Sequence, residues 1–269
     1  MPDDILARPT VLPPPTAAHV LRDLVYGTDS RGDLQLDAYQ PSTGNPPWPA
    51  VLLVNGDGDE AVITHAKDWG VYHSYGEHLA ARRIVGIPFN HRSTRTVGRL
   101  EVAAEARAAM TYVREHAAEL GVDPDRIGVW AFSAAGAFAL APLLRERPAY
   151  VRAIAGFYTV WDLAFMHESP RPVTDEEIHE WSATAALGSS AKGLPPILVT
   201  IADRDSPALV SGADAFSARA REIGVHVRVE RHPTGQHGFD VRDDDGRSRE
   251  LIRDALEFFV VALHPLPRE

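Results

Sequence analysis

The 269-residue chain contains no cysteine. Disulfides, thiolate nucleophiles and cysteine-based metal sites are therefore excluded together. The redox compartment stays open, because a cysteine-free protein survives in either environment. Long apolar runs are missing too: no window approaches the ~20 apolar residues that span a bilayer. Met1-Pro2-Asp3-Asp4 is acidic where a secretory leader would be basic, and Pro13-Pro14-Pro15 interrupts the place of its apolar core. The expectation is no signal peptide, a cytoplasmic location and no membrane partner. Positive charge is in deficit, with 27 Lys and Arg against 37 Asp and Glu and a net charge of -10. Binding to phosphate backbones is disfavoured, so no nucleic-acid partner is expected. Nothing in the composition sets an oligomeric state.

The hydrophobic share of 45% marks a globular chain with a sizeable core. Residues 1–20 read as an irregular, proline-rich lead-in, and 21–269 as one domain, since neither a repeat nor a linker divides them. Strand-like and helix-like patterns then alternate, which predicts an α/β fold with a mainly parallel sheet between helices. Leu34 to Tyr39 alternates apolar and polar, as a half-exposed edge strand would. Ala50 to Val54 is a buried third strand that enters the loop Asn55-Gly56-Asp57-Gly58. A helix is expected over Tyr75–Arg83 and a strand over Ile84–Phe89. A long amphipathic helix follows over about Val102–Leu120, stopped by Gly121. Further strands are expected at Ile127–Ala131, Val151–Phe157, Ile197–Ile201 and Val225–Arg231. An alanine-rich helix fits Ala134 to about Arg147, and a last helix fits Arg247–Leu263. The aromatic, proline-rich stretch between Val160 and Pro195 reads as a small insertion after the sixth strand, roofing the sheet's carboxyl edge.

The most informative segment is Ile127-Gly128-Val129-Trp130-Ala131-Phe132-Ser133-Ala134-Ala135-Gly136. A buried strand enters a small-x-Ser-x-small turn and a helix leaves it. A turn this sharp strains the serine backbone and tolerates only small neighbours two residues away, here Ala131 and Ala135. The hydroxyl is left exposed at the sheet's edge, beside unpaired N–H groups at a helix start. The alternative is an ordinary serine capping a helix.

A serine hydroxyl attacks only when a base takes its proton, and the base needs a third group to hold its tautomer. Six histidines follow Ser133: His167, His179, His226, His232, His237 and His264. Of these, His237 has the glycine-flanked loop setting, in Gly235-Gln236-His237-Gly238, between the last strand and the last helix. For the acid, Asp203 and Asp205 both follow the seventh strand. Asp205 is preferred, being deeper in the loop and just before a helix that Pro207 opens. Backbone N–H groups of Ala134 and of Asp57 (or Gly58) are candidates for an oxyanion hole, although the Asp57 and Asp59 carboxylates would oppose it unless turned away. Neither this loop nor Asp243–Gly246 fits the EF-hand spacing, and His-Glu-x-x-His is absent, so no metal is expected. Trp161, Phe165 and Trp181 are candidates for lining a substrate pocket, with packing in an ordinary core as the alternative. His91 is another, next to an Arg92 whose commoner fate is a structural ion pair.

With these residues in place the chain resembles the α/β-hydrolase superfamily, in its serine-esterase and dienelactone-hydrolase-like branch. The likeness runs from about Leu34 to Leu263 and is strongest over Asp123–Gly136, Pro195–Pro207 and His232–Asp240. It implies an eight-stranded, mostly parallel sheet with an antiparallel second strand, no cofactor, and hydrolysis through an acyl-enzyme. Carried over by position, Ser133 is the nucleophile, His237 the base and Asp205 the acid, with the Ala134 and Asp57 N–H groups on the oxyanion. The chain departs in having Asn55 where the family often has histidine, and alanines for the elbow's glycines. Its nucleophile is serine where dienelactone hydrolases use cysteine, which favours a carboxylic ester of a small or medium molecule as substrate. A peptidase, amidase, thioesterase or acyltransferase would use the same three residues, and a non-catalytic binding protein would keep only the pocket.

Overall fold

The computed structural model describes residues 5–168 and 172–264. The first four residues of the expected lead-in, and 169–171 of the expected insertion, lie outside the described residues. Eight strands form one sheet: β1 (Ala18–Asp29), β2 (Gly32–Pro41), β3 (Trp48–Val54), β4 (Val85–Pro88), β5 (Val122–Phe132), β6 (Val151–Phe157), β7 (Ile197–Ala202) and β8 (Val227–His232). Their spatial order is β1-β2-β4-β3-β5-β6-β7-β8. β2 runs antiparallel to both neighbours, and every pair from β4 onward is parallel. This is the mostly parallel sheet with an antiparallel second strand that the resemblance implied.

The longer helices are α1 (Gly70–Ala80), α2 (Arg99–Glu115), α3 (Ala141–Glu146), α4 (Asp175–Trp181), α5 (Pro207–Glu222) and α6 (Gly246–Leu263). Side chains alternate across a strand, so each central strand supplies both cores. In β5, Ile127, Val129 and Ala131 face the layer of α2, α3 and α5, where Val113, Leu144 and Phe216 are buried. Trp130 and Phe132 face the opposite layer of α1 and α6, with Tyr75, Leu256 and Phe259. Both cores are closed, which pins the register of β3 and β5: a one-residue slip would exchange them. Among the described residues no helix is long and apolar enough to cross a membrane.

Several sequence expectations need correction. The lead-in gives way to β1 at Ala18, so β1 is the edge strand and β2 is interior. Gln35 and Asp37 made β2 look solvent-facing, yet Asp37 is fully buried, with Arg22 and Lys67 on its carboxylate. The helix expected at Tyr75–Arg83 starts five residues earlier, at Gly70, and stops at Ala80. The long helix ends at Glu115, and a separate turn, Ala117–Leu120, reaches Gly121, whose φ of +65° closes it as anticipated. The alanine-rich helix is split: a π-turn, Gly136–Leu140, precedes α3. Such turns recur at functional sites.

Candidate active site

β5 delivers its last side chains to the carboxyl edge of the sheet, where Ser133 takes a φ of +55°. Few non-glycine residues accept that left-handed backbone, so the turn holds the hydroxyl clear of both neighbours. Its backbone is fixed on either side: Ser133 N–H donates to Phe157 O (3.2 Å) and Ser133 O accepts from Val160 N–H (2.8 Å). Ala131 and Ala135 are completely buried, which explains why the flanking sites are small.

His237 Nε2 lies 2.9 Å from Ser133 Oγ, and His237 Nδ1 lies 2.6 Å from Asp205 Oδ2. In this arrangement Nδ1–H donates to the carboxylate, leaving Nε2 to accept from the hydroxyl. The Asp205 side chain is 9% exposed and that of His237 is 40% exposed, so the carboxylate is shielded while the imidazole is open to the cleft. Ser206 N–H donates to Asp205 Oδ1 (2.7 Å). The acid's loop is joined to the histidine's loop through Asp203 N–H to His232 O (3.0 Å) and Arg204 N–H to Gly235 O (2.9 Å). The Asp203 side chain faces Arg231 instead, at 2.7 Å. Of the two candidate acids, Asp205 is therefore the one in contact with the imidazole.

The loop after β3 passes directly over the serine. A Cβ built on Gly56 would sit 2.8 Å from Ser133 Cβ, so only glycine lets the backbone come this close. The Asp57 carboxylate is turned away, accepting from Ser93 Oγ (2.9 Å), Thr94 N–H (3.1 Å) and Thr94 Oγ1. Asp59 caps the turn Glu60–Ile63 through Ala61 N–H (3.0 Å). The negative charges that seemed awkward beside an oxyanion are thus engaged elsewhere.

Two clefts lie at this edge of the sheet, and Ser133 lines the first of them. A compact one of about 330 Å³ is lined by Ser133, His237, Gly56, Trp69, Tyr72 and Tyr158. A larger one of about 850 Å³ is lined by Ala134, Phe165, Trp181, Arg95, Arg99 and Glu177. Asp57 borders both. Phe165 and Trp181 therefore line a cleft beside the serine. Trp161 does not: it is 1% exposed and stacks on Phe216 of α5, with ring centroids 4.1 Å apart. His91 does not either. Fully buried, it stands between Asn55 O (3.2 Å) and Arg92 O (2.7 Å) and lines neither cleft. Arg92 is in the structural ion pairs anticipated for it, with Glu105 and Asp29.

Two participants escaped the sequence reading. Asp240, three residues after His237, is fully buried and accepts from Tyr75 Oη–H (2.7 Å) and Tyr158 Oη–H (2.8 Å). Burial pushes its carboxyl above the usual carboxylate range, against the two tyrosine hydrogen bonds that pull the other way. The Tyr158 ring lies 4.7 Å from the His237 ring, and its φ is +40°. The only signal in the sequence was an aspartate beside an apolar Phe239, which composition alone does not separate from a helix cap. Among the described residues one group, Asp37, Asp68 and His73, brings three metal-ligating atoms together. The Lys67 ammonium already lies 3.2 Å from Asp37 and 2.8 Å from Asp68.

Comparison with known proteins adds the relatives. The chain is 30% identical over 128 residues to a probable isoprenylcysteine alpha-carbonyl methylesterase, ICMEL1, of Arabidopsis thaliana, covering 48% of this chain and 25% of that protein. It is 29% identical over 184 residues to the esterase LipQ of Mycobacterium tuberculosis, covering 60% and 43%. The chain thus spans less than half the length of either relative. The thermophilic esterase Est2 of Thermogutta terrifontis superposes with a TM-score of 0.68 at 24% identity, over 95% of this chain and 97% of that one, a likeness of fold. The BD-FAE family model matches residues 36–207, from β2 through the Asp205 loop, and the chain, an α/β-hydrolase by its sheet, belongs to that family.

Proposed function

We propose that the protein is a serine hydrolase that cleaves carboxylic esters of small or medium molecules through an acyl-enzyme. The observation that carries this reading is the unbroken hydrogen-bonded line from Asp205 through His237 to Ser133. His237 Nε2 takes the hydroxyl proton as Ser133 Oγ attacks the ester carbonyl. The backbone N–H groups of Ala134 and Asp57 receive the oxyanion, each such donor contributing about 3–4 kcal/mol to transition-state binding. Collapse breaks the bond to the alcohol oxygen, which leaves with the proton from His237. Water then enters, gives a proton to Nε2 and attacks the acyl carbonyl. Release of the acid returns that proton to Ser133. Asp205 keeps the ring in one tautomer throughout. The names of the two relatives, a methylesterase and an esterase, support an ester rather than an amide as the bond cut.

Nitrophenyl acetate and butyrate, turned over by the wild type and by Ser133→Ala, test the reading. Loss of about 10⁶ in kcat is expected for the variant. Equal turnover by both would contradict it.

A further inference from the structure

We infer that the compact cleft holds the leaving alcohol, and that the N-terminal segment of residues 5–12 supplies the apolar wall against which a small apolar alcohol packs. The inference rests on the esterase reading and adds the substrate class. The alcohol oxygen must collect its proton from His237 Nε2, so the alcohol lies on the histidine's side of the carbonyl. His237 and Gly238 line the compact cleft and neither lines the larger one, which is bordered by Ala134 and Asp57. The acyl group therefore faces the larger cleft.

Part of the compact cleft's lining comes from the segment before β1. Ile5 and Leu6 line it together with Trp69, Tyr72 and Val241. The segment is held at four points beyond them. Thr10 N–H donates to Ser74 Oγ (3.2 Å) and Val11 N–H to Asp240 O (2.8 Å). Leu12 O lies 3.1 Å from His78 Nε2, and Val11 O accepts from Arg249 Nε (3.1 Å). Its backbone also rests flush on the start of α1: a Cβ at Gly70 would stand 2.4 Å from Ala7 O and 2.6 Å from Arg8 O. Apolar lining side chains and a volume near the low end of the ~300–1,000 Å³ usual for ligand pockets suit an alkyl or benzyl alcohol.

Two ester series test this: acetates of methanol, butanol and benzyl alcohol, and methyl esters of acetic, butanoic and octanoic acids. In Ile5→Ala/Leu6→Ala the ratio of kcat/KM for benzyl over methyl acetate should fall roughly fourfold for each methylene of the alcohol that the shortened wall no longer shields from water. Ratios along the acyl series should hold. Gly70→Ala, which leaves both side chains intact but displaces the segment, should shift the same alcohol ratio. Should the double variant fail to fold, Val241→Ala, in the same lining, carries the same expectation. A shift in the acyl series alone, or in neither series, would overturn the inference. Failure of a fluorophosphonate to label wild-type Ser133 would instead overturn the esterase reading beneath it.

Discussion

Two aspartates flank His237, and they are handled in opposite ways. Asp205 reaches the imidazole itself and also accepts from Ser206 N–H. Asp240 never touches the ring; it is sealed beneath it between two tyrosine hydroxyls, one of which belongs to the ring that packs on His237. One carboxylate holds the imidazole directly. The other holds the tyrosine ring that packs on it. The difference teaches that proximity to a reactive group does not assign a role: the hydrogen-bond partner does.

Substitutions can break that comparison. Asp205→Asn should keep the fold and lower kcat by about 10⁴, since an amide supports the wrong tautomer; melting temperature and ester turnover, measured together, check both halves. Asp240→Asn should do the reverse. With one carbonyl oxygen for two hydroxyl donors, it leaves a buried group unpaired at about 1–3 kcal/mol, and urea unfolding should register that while turnover falls far less than for Asp205→Asn. If Asp240→Asn lost as much activity as Asp205→Asn, the division of labour would be wrong.

A pH series sharpens the same point. The Asp240 carboxyl is raised by burial, so the folded state holds its proton longer than the unfolded chain does. Its contribution to stability is full below the unfolded value, near 3.9, and is lost as pH rises through the folded value. The stability gap between wild type and Asp240→Asn should therefore shrink as the pH is raised from about 4, followed by urea unfolding at each pH. A gap that widened would mean the carboxylate is stabilised as an ion. The smallest effect is expected for Asp203→Asn, which removes a partly exposed pair with Arg231 and should change stability by about 0–1 kcal/mol, with ester turnover unaffected.

The centre of the molecule was legible and its edge was not. Parallel strands buried on both faces carry continuous apolar runs, and β6 falls on the residues expected for it while β3 and β7 end within a residue or two of theirs. β1 was hidden because its pairing with β2 is interrupted twice, between Leu21 and Leu24 and between Val25 and Gly27. These irregularities destroy the two-residue period on which strand recognition depends. β2 misled for another reason: Asp37 looks solvated in sequence, but its charge is met by Lys67 and Arg22. At the site, Ser133, His237 and Asp205 could be picked out because each stands where a strand ends. Aromatic content could not say which rings face a cleft. Trp161 is drawn into the core by Phe216, some fifty residues later in the chain, a partner that no local pattern reveals.

The most direct measurement is intact-mass and peptide mapping after reaction with a fluorophosphonate. One adduct, on Ser133, is expected in the wild type, with labelling strongly slowed in His237→Ala and abolished in Ser133→Ala. An unlabelled wild type, or an adduct on another residue, would contradict an imidazole-activated alcohol at the end of β5.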